Sequence, residues 1–257
     1  MLEVRGLCKH FGGIRAVDDC SFKVEAGSIT ALIGPNGAGK TTAFNCISKT
    51  LPLTSGEILL DGERIDGLRP HQITRRGLSR TFQISRNLED LTVLENLVVQ
   101  SRVGHWRDLF GPAITAAERK KALDILDFLN ITRLADEETR SLSYGQKKLM
   151  DFGGLLMSDP KIILLDEPAG GVNPRLLREI VDHIRQLNER GLTVFIVEHN
   201  MDVVMSLSQK VVVMAFGQVI AEGTPREVQA NPDVLEAYLG GSEKSDAAPA
   251  AEVAGHA

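Results

Sequence analysis

The sequence predicts an α/β fold in which helices cover a mainly parallel β-sheet. Three short apolar segments bounded by turn residues are typical of strands buried on both faces: residues 29–33, 162–165 and 194–197. Longer stretches with helical spacing lie between such segments, among them residues 118–130 and 175–190. Strands that alternate with helices in this way indicate a layered α/β core.

Smaller elements surround this predicted core. Residues 4–7, 20–24 and 57–60 are short strand patterns with Gly-rich turns, and they predict an antiparallel β layer. Residues 211–214 and 218–221 predict a late hairpin. A helical insertion is expected at about 84–151, within a single domain spanning 1–240. The last segment, 241–257, is small, polar and Ala-rich, and we expect it to be disordered because it has little apolar area to bury.

Composition excludes several classes of protein. The 257 residues carry a net charge of −5, without the basic excess typical of nucleic-acid binding, so we expect no nucleic-acid partner. Arg75, Arg76 and Arg80 are interpreted as one solvated helix face. The three cysteines are typical of small buried side chains in a reducing cytosol. No apolar run approaches the ~18 residues of a membrane helix, so we expect membrane association only through partners.

A phosphate-binding loop is the strongest local pattern. Residues 34–41 read GPNGAGKT and fit G-x-x-x-x-G-K-[ST] at every fixed position, between a predicted strand and a predicted helix. The glycines let backbone N–H groups face phosphate oxygens, and the helix N-terminus adds positive partial charge. Lys40 is expected at the β- and γ-phosphates, Thr41 on Mg²⁺ and Thr42 at the α-phosphate. The predicted nucleotide-binding residues here are Gly34, Pro35, Asn36, Gly37, Ala38, Gly39, Lys40, Thr41 and Thr42.

Polar residues end two further predicted strands. Asp166 and Glu167 follow an apolar strand that we place next to the strand of the phosphate loop, and His199 follows another. Ligands of open α/β sheets bind at the carboxyl ends of the strands. Asp166 is therefore expected to hold Mg²⁺, directly or through water, and Glu167 to deprotonate the attacking water. His199 is expected to contact the γ-phosphate.

Further motifs appear in a fixed order. LSYGQ at residues 142–146 precedes Asp166 and resembles the LSGGQ signature of ABC ATPases, with Tyr144 replacing a glycine. The order of the motifs also resembles that family, which implies a P-loop NTPase (ABC ATPase) core with an antiparallel β subdomain and an inserted α-helical subdomain. The resemblance implies roles for further residues: adenine stacking by Phe11, catalysis and Mg²⁺ binding by the Q-loop residue Gln83, and nucleotide binding by Ser143, Gly145, Gln146 and the D-loop residue Asn173.

A narrower resemblance concerns the cargo. LSYGQ, VEHNM, the RTFQ segment with LTVLENL, and the ending EGTPREVQANPDVLEAYLGG look like the LivG-type ATPase of branched-chain amino acid importers. Related members handle urea or short amides, so these cargoes stay open. A non-transport ABC ATPase is the other alternative, although such proteins carry long coiled coils or two cassettes. The intact Lys40, Asp166, Glu167 and His199 argue against a binding module without turnover.

The resemblance also implies a machine and its partners. In this family ATP is held between the phosphate loop of one subunit and the signature motif of another, so a second ATPase subunit, identical or paralogous, is expected. Two integral-membrane permease subunits would dock near Gln83 and the helical insertion, and a periplasmic or extracellular solute-binding protein would act indirectly. The implied cofactors are ATP and Mg²⁺. The implied location is peripheral, at the cytoplasmic face of the inner (plasma) membrane.

Overall fold

A computed structural model describes residues 1–80, 88–101 and 114–239 of the chain. Gln83 and the predicted tail at 241–257 lie outside these residues. The strands are β1 (Leu2–Phe11), β2 (Ile14–Val24), β3 (Ile29–Ile33), β4 (Ser55–Leu60), β5 (Glu63–Arg64), β6 (Leu78–Arg80), β7 (Ile162–Asp166), β8 (Thr193–Val197), β9 (Lys210–Ala215) and β10 (Gln218–Gly223). The α-helices are α1 (Lys40–Ile47), α2 (Pro70–Arg75), α3 (Val93–Ser101), α4 (Ala116–Phe128), α5 (Tyr144–Leu156), α6 (Pro174–Glu189), α7 (Met201–Leu207), α8 (Pro225–Gln229) and α9 (Pro232–Leu239).

A six-stranded sheet forms the centre of the molecule, in the order β10-β9-β3-β8-β7-β6. All neighbours in it are parallel except the β9–β10 hairpin. The three predicted core strands are confirmed as β3, β7 and β8. The prediction that β7 lies directly beside β3 is wrong, because β8 pairs with both and separates them. Val197 pairs with Leu32 on one side and Asp166 on the other, so the three carboxyl ends lie side by side.

A second sheet is antiparallel, with the order β2-β1-β4-β5. The predicted short strands 4–7, 20–24 and 57–60 lie within β1, β2 and β4, and β1 and β2 extend further than predicted. Register shifts interrupt the β1–β2 pairing at several points. Such irregularities break the simple alternation of buried and exposed residues, which is why the sequence pattern predicted only fragments of these strands.

Two apolar cores enclose the central sheet. Ile29, Ala31 and Ile33 face a core shared with helices α3 to α9. Leu32, on the opposite face of β3, packs into a core shared with α1 and the antiparallel sheet. In that second core the rings of Phe44 and Phe195 stack with their centroids 5.8 Å apart. Burial on both faces explains why the central strands are almost continuously apolar.

Helices dominate the described part of the predicted insertion. α3, α4 and α5 pack together and join the first of the two cores, and short 3-10 turns at Thr132–Leu134 and Thr139–Ser141 connect α4 to α5. An isolated bridge between Thr92 and Glu138 is the sole β pairing in the described residues of this region. α5 continues beyond residue 151, to Leu156. None of the helices in the described ranges combines the length and apolar character that a membrane crossing requires.

The interpretation of Arg75, Arg76 and Arg80 as one solvated helix face is wrong for Arg80. Arg75 ends α2 and Arg76 follows it, both exposed, whereas Arg80 lies on β6 with a side chain that is only 9% exposed. Its guanidinium lies over the Phe44 ring, 4.6 Å from the centroid, and reaches the carboxylate of Asp166. A strand of three residues carries too little periodic signal to be recognised in a sequence.

Candidate functional site

The phosphate loop joins β3 to α1 and depends on glycine. Gly39 caps α1 in the left-handed conformation, with φ 96°, and a Cβ there would clash with the carbonyl oxygen of Ala16. A Cβ on Gly34 would likewise clash with the carbonyl oxygen of Met214. The loop thus needs glycine both for its φ angles and for its close contacts with β9 and β2. The result is a curled backbone at the start of a helix, the arrangement that binds phosphate.

The side chain of Lys40 folds back onto the phosphate loop. Its Nζ donates hydrogen bonds to the carbonyl oxygens of Gly34, at 2.7 Å, and Pro35, at 2.9 Å. Burial lowers the pKa of Lys40, and the nearby carboxylate of Glu167 opposes that shift. The ammonium group is therefore held at the loop that the sequence predicts to cradle phosphate. Thr41 and Thr42 follow in the first turn of α1, and the Thr41 side chain is exposed.

Asp166 ends β7 as a buried carboxylate. Its Oδ2 accepts a hydrogen bond from Nη2 of Arg80 at 3.0 Å, and both side chains are nearly inaccessible. Burial raises the pKa of Asp166, and the positive charge of Arg80 opposes this shift. Arg80 Nη1 also donates to Ser48 and Thr50, so the guanidinium is fixed by three different side chains. Arg80 is a positioning residue that the sequence interpretation missed.

Glu167 and His199 face each other across the ends of β7 and β8. His199 Nδ1 lies 3.6 Å from Glu167 Oε1, and both side chains are accessible to solvent. Glu167 has a left-handed backbone, with φ 45°, although it is not glycine. Its N–H donates to the carbonyl of Val197 at 2.9 Å, and its own carbonyl accepts from the N–H of Gly170. These bonds hold a conformation that L residues rarely adopt.

Glu198 is a second residue that the sequence interpretation passed over. Its carboxylate is fully buried between Val197 and His199. Oε1 accepts from the N–H of Ala169, and Oε2 accepts from the N–H groups of His199 and Asn200. One side chain thereby ties the loop after Glu167 to the loop that carries His199. The sequence does contain a signal for this role, namely a carboxylate between an apolar strand and a histidine. A buried carboxylate there requires hydrogen-bond partners.

The signature residues form the N-terminus of α5. Ser143 caps the helix, its Oγ accepting from the N–H of Gln146, and Gln146 Oε1 accepts from the N–H of Ser143 at 2.8 Å. Gly145 packs against Leu176, whose side chain would have to shift to admit a Cβ. Tyr144, in the position of the missing glycine, donates through its hydroxyl to the carbonyl of Gly170 at 3.3 Å. The signature is thus anchored to the loop that follows Glu167.

The other predicted site residues are placed as follows. Phe11 ends β1 with 47% of its surface exposed, so its ring is accessible to a ligand. Asn173 caps α6, its Oδ1 accepting from the N–H groups of Arg175 and Leu176. The structure brings the phosphate loop, Asp166, Glu167 and His199 to one edge of the sheet. The signature lies at the N-terminus of α5, in the helical part of the chain, and Gln83 lies outside the described residues.

Comparison with known protein families gives two matches. Residues 17–170 match the model of the ABC transporter family, and residues 218–244 match that of the branched-chain amino acid ATP-binding cassette transporter. Similar curated proteins include the "high-affinity branched-chain amino acid transport ATP-binding protein BraF" of Pseudomonas aeruginosa, which is 42% identical over 93% of this chain and 98% of its own length. LivG of Escherichia coli is 37% identical, with 93% and 98% covered.

Solved structures show the same similarity. An ATP-binding cassette of an ABC transporter in its ADP conformation is 36% identical, with a TM-score of 0.84 over 93% of this chain and 98% of that one. A nucleotide-free cassette is 34% identical, with a TM-score of 0.83 over 92% and 98%. The predicted fold, with its antiparallel β subdomain and inserted helices, is confirmed. With its phosphate loop, Asp166–Glu167 pair and signature in the order described above, the chain belongs to the ABC transporter family, as an ATP-hydrolysing subunit.

Proposed function

We propose that the chain hydrolyses ATP to power an ABC importer of branched-chain amino acids. The observation that carries this proposal is the convergence of the phosphate loop, the Asp166–Glu167 pair and His199 at one sheet edge. The domain that does this work spans residues 1–240, with a helical insertion at about 84–151.

Phosphate binding falls to the loop at residues 34–39 together with Lys40 and Thr42. In the structure, the ammonium group of Lys40 donates hydrogen bonds to two loop carbonyls. When ATP binds, phosphate oxygens would accept these hydrogen bonds instead, and backbone N–H groups of the loop would bind the other phosphate oxygens. Phe11 stacks on adenine from the end of β1. Its exposed ring supports this role, since a base can contact it without displacing core residues.

Mg²⁺ suits the oxygen donors at this edge of the sheet. Thr41 provides a hydroxyl and Asp166 a carboxylate, which are ligand types that Mg²⁺ prefers, and we assign Gln83 to the same set. The positive charge of Arg80 opposes the rise in pKa that burial causes at Asp166, and it therefore favours the ionised carboxylate. When bound, the ion neutralises charge on the phosphates.

Glu167 accepts the proton of the attacking water, and His199 contacts the γ-phosphate. The accessible carboxylate of Glu167, fixed by its left-handed backbone, supports the first role. The 3.6 Å distance between His199 Nδ1 and Glu167 Oε1 supports the second, because one group lying beside both atoms can contact the two side chains. Gln83 is assigned to catalysis as well.

The site is completed by a second ATPase subunit, either another copy of this chain or a paralogue. Ser143, Gly145, Gln146 and Asn173 would contact the nucleotide held by the partner's phosphate loop. An ABC cassette that is 26% identical, with a TM-score of 0.76, has a solved structure described as dimeric. The helix N-terminus behind Ser143 supports this role, since its backbone N–H groups attract anions.

Two integral-membrane permease subunits, and indirectly an extracytoplasmic solute-binding protein, are the further partners. The chain then acts as a peripheral subunit at the cytoplasmic face of the inner membrane. The C-terminal match to the branched-chain family and the names of the relatives support this assembly and its cargo. Urea or a short amide is the alternative cargo for the same machine.

Uptake in proteoliposomes tests the cargo. The permeases that co-purify with the chain are reconstituted with their binding protein, with ATP inside the vesicles. Labelled leucine, isoleucine and valine should accumulate, and urea and acetamide should not. The matched control contains the Glu167→Gln subunit, which should abolish uptake. ATP-dependent uptake of urea or acetamide without leucine would assign the machine to the alternative cargo.

A further inference from the structure

The outer face of the β1–β2 hairpin carries a group of metal-binding side chains outside the nucleotide site. Cys8 and His10 lie two residues apart on β1, so both project from the face opposite the buried Leu7. β2 carries one extra residue between the pairs Leu7–Cys20 and Lys9–Val17, and this irregularity brings Asp18 opposite Cys8 and His10. The potential ligand atoms of Cys8, His10 and Asp18 all lie within 4.8 Å of one another.

The imidazole of His10 is the group that most needs a partner. Its Nε2 is buried, and among the described residues it has no hydrogen-bond partner. The nearest carboxylate oxygen, Oδ1 of Asp18, is 3.9 Å away, which is too far for a hydrogen bond. Buried polar atoms of this kind are normally satisfied, so an unsatisfied one within a group of ligands indicates a missing ion or water.

The three ligand types are a thiolate, an imidazole and a carboxylate, a combination that suits Zn²⁺. Bond lengths of about 2.0 to 2.3 Å in a tetrahedral site place ligand atoms roughly 3.3 to 3.8 Å apart. The ligand atoms of Cys8, His10 and Asp18 would therefore have to close by about 1.5 Å at most, a movement that rotation about their side-chain bonds supplies. Three protein ligands leave the fourth position for a water molecule.

Two local contacts bear on this arrangement. The N–H of Asp19 donates to Cys8 Sγ at 3.3 Å, which orients the sulfur. Arg15 Nη1 pairs with Asp18 Oδ2 at 3.2 Å and competes for the same carboxylate, but its side chain is largely exposed. Exposed ion pairs contribute little, so a metal ion would displace Arg15 from Asp18.

We propose that Cys8, His10 and Asp18 form a binding site for a transition-metal ion of the Zn²⁺ class, separate from the Mg²⁺ site of ATP hydrolysis. The proposal does not depend on the nucleotide chemistry of the chain. The proposed metal site lies on the outer face of the β1–β2 hairpin, and Phe11 lies at the tip of the same hairpin.

Cobalt substitution tests the site in the full-length, nucleotide-free protein. Co²⁺ should bind at one equivalent with a thiolate-to-metal charge-transfer band and visible bands of tetrahedral intensity, and Zn²⁺ should displace it. Cys8→Ser should abolish the charge-transfer band, and His10→Gln and Asp18→Asn should weaken binding at least ~10-fold. Asp19→Asn and His71→Gln are matched controls, and both should bind as the wild type does. Arg15→Ala should tighten binding roughly 2- to 5-fold by removing the competitor.

Alkylation by iodoacetamide, followed by peptide mass spectrometry, identifies the thiol directly. Cys20 and Cys46 are buried, which raises the pKa of Cys20 to about 12 and that of Cys46 to about 11, so neither should react at neutral pH. Cys8 is partly accessible, and Zn²⁺ should protect it in the wild type but not in His10→Gln.

Three results would overturn the proposal. One is the absence of a charge-transfer band in correctly folded wild-type protein at micromolar Co²⁺. Another is a band that persists in Cys8→Ser. The third is equal loss of binding in His71→Gln and His10→Gln, which would show adventitious binding to surface histidines only.

Discussion

Glu167 and His199 lie at the carboxyl ends of adjacent strands, and the carboxylate of Glu167 is the group proposed to accept a proton. Glu167→Gln keeps the size and the backbone of the side chain but removes its basicity. We expect ATP binding to persist and kcat to fall by at least ~10²-fold in the assembled transporter, the usual scale for loss of a general base. Glu179→Gln, on the exposed face of α6, is the matched control and should leave kcat unchanged. Near-normal hydrolysis by Glu167→Gln would remove Glu167 from this role.

The energetic coupling between Arg80 and Asp166 can be tested by measuring the stability of variants. Arg80→Ala leaves a buried carboxylate without its guanidinium partner, a change that typically costs about 3 to 5 kcal/mol of unfolding free energy. Asp166→Asn in the same chain removes the buried charge and should recover part of this loss. Urea denaturation of the two single variants and the double variant gives the coupling energy. Additive losses would mean that the pair is not coupled.

The site residues divide into those that a sequence reveals and those that it does not. Lys40, Asp166 and Glu167 could be proposed from the sequence because the predicted chemistry requires particular residue types next to an apolar strand. Arg80 was not, because its partner lies 86 residues away and only the pairing of β6 with β7 brings the two together. Glu198 was visible in the sequence, but its three backbone partners come from two loops that are distant in the chain.

At the scale of secondary-structure elements, the buried strands were the most predictable and the antiparallel sheet the least. β3 was predicted with the observed bounds and β7 and β8 to within one residue, because strands buried on both faces consist of uninterrupted apolar runs. β1 and β2 were predicted only in part, since their register shifts interrupt the alternating pattern. The order of the strands in the sheet was not predictable. For example, β7 was expected beside β3, but β8 lies between them.

The contact between α4 and α6 should make stability depend on pH. His183 of α6 is buried against Phe128 at the end of α4, with ring centroids 5.0 Å apart. Burial lowers the pKa of His183, which the backbone of Phe128 and the carboxylates of Glu179 and Asp182 oppose. Since the folded pKa lies below the unfolded value of about 6.5, the unfolded chain binds more protons, and stability is lost as the pH falls below that value.

His183→Gln removes this titration and retains a donor of similar size. We expect the drop in Tm between about pH 7.5 and about pH 5.5 to be smaller in the variant than in the wild type. His71→Gln, in α2, is the matched control and should show the same drop as the wild type. An identical drop in His183→Gln would show that other groups cause the acid sensitivity.

At the scale of the whole molecule, one chain holds two separate halves of the proposed catalytic site. The phosphate loop and Glu167 lie at the edge of the central sheet, whereas Ser143 begins α5 in the helical part of the chain. Tyr144 and Glu198 connect these halves through the loop after Glu167, at Gly170 and Ala169. These two hydrogen bonds are a direct physical connection between the halves.

Ser143→Arg tests whether the signature serves the partner's nucleotide. The isolated subunit should bind ATP with unchanged affinity, because the pocket proposed for it consists of Phe11, the phosphate loop and Asp166. The bulky side chain should block ATP-driven closure and lower hydrolysis by the assembled transporter at least ~10²-fold, the usual cost of losing one preorganised donor to the reacting oxygens. Binding is measured by titration of the monomer with labelled ATP, and hydrolysis with the reconstituted complex.

Ser143 also caps α5, so the loss of the cap must be separated from the added bulk. Ser143→Ala removes the same capping oxygen, at a cost of about 1 kcal/mol of stability, without filling the interface, and it should retain more activity than Ser143→Arg. Lys40→Ala provides the opposite comparison, since it should weaken ATP binding to the monomer itself.

If the partner is a second copy of this chain, Ser143→Arg disables both sites. If it is a paralogue, only the site on the paralogue's phosphate loop fails. Should Ser143→Arg weaken monomer binding as strongly as Lys40→Ala does, the signature would belong to the same subunit's pocket, and the two-subunit site would be wrong.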